Sequence, residues 1–111
     1  AENVTKVGNH VKERLEKEFL PLPHVGNVTG LGLLLNLEIV ADKETRRRFP
    51  EEMNITDVIR ERCWGKGLFM RALGKYEVDV VIITPPLIIT KEEVDKELDI
   101  LYPIIAGLKD L

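Results

Sequence analysis

A two-layer α+β sandwich, in which a small, mainly antiparallel sheet of three to four strands carries helices on one face, is the fold class this sequence predicts. Three observations carry that expectation. Apolar residues recur at helical spacing in three separate stretches, near the start, the middle and the end of the chain. Between them lie runs that alternate in polarity or are rich in β-branched residues, as strands do. With 111 residues, 44% hydrophobic and 32% charged, there is material for one hydrophobic core and not for two. Residues 1–111 are therefore expected to form a single domain.

Taken in order, residues 3–20 place Val4, Val7, Val11, Leu15 and Phe19 on one helical stripe, with Lys6, Lys12, Glu13, Arg14, Glu16 and Lys17 on the other faces. Pro21 and Pro23 end this amphipathic helix, since proline cannot donate to the helical ladder. Residues 28–40 then alternate, with Leu31, Leu33, Leu35, Leu37 and Ile39 sharing a face, and predict one strand. Gly30 and Gly32 thin its other face, where a backbone or a ligand could approach closely. Residues 41–53, charged and interrupted by Pro50, read as a long loop of the kind that often lies near function.

Asn54 and Asp57 have capping-box-like spacing ahead of Ile55, Val58, Ile59 and Cys63, and Gly65 and Gly67 supply the stop of a second, shorter helix. Residues 68–71 and 78–84 are β-prone runs joined through Leu73, Gly74 and Lys75, which predicts a hairpin or near neighbours, and Pro85 and Pro86 end the second run. Thr90 and Glu93 form a T-x-x-E capping box for a last helix with the stripe Val94, Leu98, Leu101, Ile105 and Leu108. Glu92 and Glu93 in its first turn suit the helix dipole. Pro103 is expected to kink or break that helix after Tyr102, because an interior proline costs about 3 kcal/mol. The expected order is helix, strand, helix, strand, strand, helix, with no internal repeat.

The balance of 16 basic and 19 acidic residues, a formal net charge of -3, gives no reason to expect nucleic acid or an anionic membrane surface as a partner. The one basic cluster, Arg46, Arg47 and Arg48 beside Phe49 and Pro50, reads as a solvated loop. Apolar runs such as 31–35, 80–83 and 87–89 fall far short of the roughly 20 residues of a membrane span. A single cysteine, Cys63, excludes an internal disulfide and fits a reducing cytosol. No basic segment precedes an apolar one at the start, so no secretory signal is expected, and an opening on Ala1 suggests a fragment or a processed chain.

Catalytic groups are scarce. His10 and His24 have no metal-ligand spacing to any other candidate, so no metal is expected, and both read as structural or surface residues. Cys63 lies on the apolar side of its helix next to Trp64 and reads as a buried, inert thiol. Gly26, Gly30 and Gly32 do not match G-x-G-x-x-G and precede a strand, not a helix, so they form no phosphate loop. Arg71 stands apart, because Leu68, Phe69 and Met70 precede it and Ala72 and Leu73 follow. An arginine leaving an apolar strand needs a partner: an internal carboxylate, solvent, or a small substrate carboxylate gripped by its planar fork. Gly74 would keep the backbone permissive at the mouth of such a site.

Residues 24–32 (HVGNVTGLG), 37–40 (LEIV) and 42–45 (DKET) are followed in order by Gly65-Lys66-Gly67-Leu68, Arg71-Ala72-Leu73-Gly74 and residues 83–90 (ITPPLIIT), with Glu92, Glu93 and Asp95 behind them. This ordered set resembles the C-terminal small domain of class III aminotransferases of fold type I, in particular the ω-amino-acid and diaminopelargonate branch. The resemblance covers the chain from Val11 onward. It implies an enzyme that transfers an amino group between an amino donor and a keto acid, working as a cytoplasmic homodimer with pyridoxal 5'-phosphate. It also implies that Arg71 binds the substrate carboxylate. The Schiff-base lysine, the aspartate facing the pyridine nitrogen and the phosphate loop belong to the family's large domain, and no lysine of this chain is assigned to that role. The expected partners are hence a large cofactor-binding domain of the same polypeptide and a small carboxylate substrate. This stretch alone is expected to be inactive and to bind no cofactor. Thr29, where the family usually carries arginine, and Pro103 depart from the pattern. A free-standing α+β interaction or small-molecule sensor module is the alternative that the poverty of catalytic groups leaves open.

Overall fold

The first helix buries Val7, Val11, Leu15 and Phe19 together by changing its pitch. In the computed structural model, which describes residues 2–31, 34–68, 70–75, 78–83 and 90–111, helix α1 (Glu2–Arg14) runs directly into a π-helical turn over Leu15–Phe19. The Leu20 N–H donates to the Leu15 carbonyl at 2.8 Å and closes the wide turn. A stripe repeating every four residues drifts about 40° per step around an α-helix. The wider π turn takes that drift back, and the stripe stays on the core. Expectations that rest on Gly32, Leu33, Phe69 and residues 84–89, with Pro85 and Pro86 among them, and on the side chains of Val4, Leu31 and Leu34, lie outside what is described.

The single strand expected over 28–40 is instead a hairpin. Strand β1 (Val25–Leu31) pairs antiparallel with β2 (Leu34–Ile39), Leu31 opposite Leu34 across a two-residue connection. The register sets Val28 opposite Leu37 and Gly30 opposite Leu35, so the inward positions change from even numbers in β1 to odd numbers in β2. A bulge between Val25 and Asn27 then brings Val25 back to the core.

After residues 41–47 close on themselves and a short 3-10 turn spans Glu51–Met53, helix α2 (Ile55–Gly65) begins. Asn54 does not cap it as expected. Its backbone is left-handed (φ 48°, ψ 53°), no side-chain cap bond forms, and its amide donates back to the Glu52 carbonyl. The stop at the other end is as read. Gly67 at φ +78° lets the Gly67 N–H reach the Trp64 carbonyl (2.9 Å) and the Leu68 N–H reach the Cys63 carbonyl (2.8 Å), the two bonds of a Schellman motif.

The second hairpin is offset from expectation. Leu73, Gly74 and Lys75 are not its connection but part of strand β3 (Arg71–Lys75), which pairs with β4 (Val78–Ile83), Lys75 opposite Val78. β4 also pairs with β2, giving an all-antiparallel sheet in the order β1-β2-β4-β3. Helix α3 (Lys91–Ala106) starts at Thr90, whose hydroxyl oxygen accepts the Glu93 N–H at 3.2 Å. Pro103 does not break it, and helix continues to Ala106. The hydrogen bond that proline forgoes is to the carbonyl of Asp99, and both residues are exposed, so water can take the acceptor.

Leu35, Leu37 and Ile39 of β2, Val81 and Ile83 of β4 and Ala72 of β3 form the inward face, where α1, α2 and α3 add Val11, Ile59, Cys63, Leu98 and Leu101. The fold is the α+β sandwich that was expected, with four strands. The other face of the sheet, carrying Arg71, Leu73, Val80, Ile82 and Asn36, is half-buried or exposed.

Candidate functional site

Arg71 stands on the uncovered face because of the pleat. Leu68, Met70 and Ala72 are buried, so a residue between Met70 and Ala72 must point the other way. Arg71 is the first residue of β3, an edge strand, and lies opposite Ile82 in the register. Its side chain is exposed and makes no hydrogen bond or ion pair with any of the described residues. The internal carboxylate that might have satisfied it is not among them, which leaves the guanidinium fork available to a ligand or to another part of a larger protein. Its backbone is held from the helix side: Arg60 Nη1 on α2 donates to the Ala72 carbonyl at 2.9 Å, and Arg60 Nη2 is paired with Asp57.

At the far end of β3 lies a buried charge. Asp79 is 4% exposed and is the only buried polar or charged side chain among the described residues. Arg48 reaches it from the 41–54 segment with two parallel bonds, Nη2 to Oδ1 at 2.8 Å and Nε to Oδ2 at 3.3 Å. A 270 Å³ hollow beside this pair is lined by Arg48, Glu51, Asn54, Thr56 and Gly74, among others, but not by Arg71. Sequence reading overlooked both Arg48, placed in a solvated cluster, and Asp79. The signal was present: an acid inside the β-branched run at 78–83 cannot be buried without a partner. Arg60 left no comparable trace.

The remaining candidates do not converge. His10 Nε2 lies 2.7 Å from Asp95 Oδ1 on α3, beside Arg14, which bonds Glu18, Asp95 and Asp99. This network ties α1 to α3. Burial alone would raise the Asp95 carboxyl, but the bonds from His10 and Arg14 outweigh it and hold Asp95 below the usual carboxylate range. His24 Nδ1 lies 3.0 Å from the Val40 carbonyl, and its ring packs on Phe49. Cys63 is fully buried, and burial pushes its thiol up to about 11, the wrong direction for a nucleophile. Gly26 packs closely on Val40, with no role in ligand binding visible. No group of three His, Cys, Asp or Glu that could hold a metal occurs among the described residues.

The family model for class-III aminotransferases matches residues 1–105. This chain belongs to that family. It is 38% identical over 99 residues to the adenosylmethionine-8-amino-7-oxononanoate aminotransferase of Aquifex aeolicus, a match that covers 89% of this chain and 21% of that protein. It is 36% identical over 96 residues to the putrescine–pyruvate aminotransferase of Pseudomonas aeruginosa, covering 84% and 20%. Among solved structures, the adenosylmethionine-8-amino-7-oxononanoate aminotransferase of Methanocaldococcus jannaschii superimposes with a TM-score of 0.82 at 34% identity, over 94% of this chain and 23% of that one. The chain thus spans about a fifth to a quarter of the length of the relatives it matches.

Proposed function

We propose that this class-III family member is the C-terminal, substrate-side small domain of a pyridoxal-phosphate-dependent aminotransferase, and that Arg71 anchors the substrate carboxylate. The observation that carries the second part is an exposed guanidinium without a partner among the described residues, on the sheet face that none of the described helices covers. A planar fork on a strand can take both oxygens of a carboxylate and so fix the direction of the substrate, leaving the amino-bearing carbon to be placed elsewhere. Arg71 would hold and orient, and would transfer no proton.

The described residues do not fit a site for pyridoxal phosphate. Every lysine whose side chain is described is exposed, whereas a lysine held as a Schiff base needs a desolvated pocket. The cofactor belongs, on this reading, to a large domain of the same polypeptide, and the stretch alone is inactive. The reading carries with it a homodimeric, cytoplasmic enzyme. It accords with there being no helix among the described residues long and apolar enough to cross a membrane.

The test is made in the intact polypeptide. Arg71→Ala is expected to raise KM for carboxylate-bearing substrates about a hundredfold, the worth of a bidentate charge-assisted pair, while sparing amines that lack a carboxylate. Equal effects on both substrate types, or an intact polypeptide without a cofactor-binding lysine, would overturn the assignment.

A further inference from the structure

We propose that Arg60 is a positioning residue for Arg71. The proposal rests on the reading of Arg71 as the carboxylate anchor, and it adds to that reading what holds the anchor in place. β3 lies at the edge of the sheet and has one hydrogen-bonded neighbour, β4. Arg71 is its first residue, so the ladder supports it on one side of the chain only. The next peptide along carries the Ala72 carbonyl, and that oxygen is gripped by Arg60 Nη1 at 2.9 Å.

Arg60 is itself constrained. Its other terminal nitrogen is engaged by Asp57 one turn earlier on α2, and its side chain is 28% exposed. α2 is fixed in turn by the Schellman closure at Gly67 and Leu68, just before the chain enters β3. A continuous path therefore runs from Asp57 through the Arg60 guanidinium and the Ala72 carbonyl to the backbone that bears Arg71. The long arginine side chain magnifies any rotation of that peptide at its tip, where the carboxylate would be met. A planar fork tolerates little error, because bidentate capture needs both N–H vectors aligned.

The experiment uses the intact aminotransferase and a matched pair of amino donors, with and without a carboxylate, measuring kcat, KM and Tm. Arg60→Gln is expected to raise KM for the carboxylate donor about tenfold and to leave the carboxylate-free amine within about twofold, since small misplacements are costly in an oriented site. Arg60→Lys keeps a charged donor and should recover most of the loss. Should Arg60→Gln fail to fold, Asp57→Asn provides the second variant, with a smaller effect of the same selective kind.

An unchanged KM, or equal changes for both donors that merely follow Tm, would overturn the positioning role. Arg71→Ala run in parallel separates the two levels. If it discriminates between the donors and Arg60→Gln does not, only the positioning role falls. If Arg71→Ala does not discriminate, the anchor reading falls and takes this proposal with it.

Discussion

A methyl group on Gly74 would sit 2.8 Å from Asp79 Oδ1 and 3.4 Å from Arg48 Nη2. The glycine is there to admit a buried ion pair, not to relax the mouth of the Arg71 site, whose face is the opposite one. Arg48 is 31% exposed at its side chain and Asp79 6%, so water screens one end of the pair and scarcely reaches the other. Gly74→Ala is expected to destabilise by about 1–3 kcal/mol through crowding alone. Asp79→Ala should cost about 2–3 kcal/mol, less than the loss of a fully buried pair because Arg48 can turn to solvent. Urea denaturation of both variants checks this. A Gly74→Ala protein with an unchanged midpoint would show that the pair can move aside freely.

Among the elements, the end of α2 and the two hairpins contrast in how they are written. Gly67 has φ +78° and nothing within 4 Å of where a Cβ would stand, so Gly67→Ala should cost about 1 kcal/mol, entirely in backbone strain. The same substitution at Gly65, in open space and without positive φ, should be neutral or slightly stabilising. Thermal unfolding of the two variants separates strain from crowding. The end of α2 and the start of α3 could be read because their signals are local: Gly67 lies beyond the last apolar residue of its stripe, and Thr90 and Glu93 stand three apart ahead of theirs.

The first hairpin was hidden, and the turn of the second misplaced, for the same reason in reverse. The turn between β1 and β2 falls inside residues 31–35, where four leucines surround one glycine, and alternation alone does not reveal that the inward parity has changed. Gly74 suggested a turn and was a strand residue, because a glycine admits a neighbour's side chain as well as a bend. At the candidate site, Arg71 was legible from its apolar flanks. Asp79 was signalled by its place in the β-branched run, but its partner Arg48 lies 31 residues away and Arg60 acts on a carbonyl 12 residues away, and a spacing of that kind leaves no pattern in the chain.

For the molecule as a whole, the contact between the first and last helices should make stability sensitive to acid. Glu18 is held below the ordinary carboxylate value chiefly by its bonds from Arg14, and Asp95 is held below it by His10 and Arg14 against the opposing effect of burial. A depressed carboxyl stabilises the folded state at pH values above its unfolded pKa and loses that contribution as pH falls through the folded one. The loss should therefore begin as pH drops below the ordinary values of 4.5 for Glu18 and 3.8 for Asp95. Glu97 has the opposite sign: burial, and then Glu93, push its carboxyl up, so acidification relieves it and offsets part of the loss. Because Asp95 and Glu18 are each about two-fifths exposed, screening limits the network to about 1 kcal/mol. Asp95→Asn should lower Tm slightly at pH 7 and flatten the fall in Tm below pH 4.5, whereas Glu97→Gln should raise Tm at pH 7 and steepen it. Tm recorded from pH 7 downward for the three proteins decides the matter, and identical acid limbs would mean that α1 and α3 are held by packing alone, through contacts such as the edge-on Phe19–Tyr102 pair at 5.4 Å.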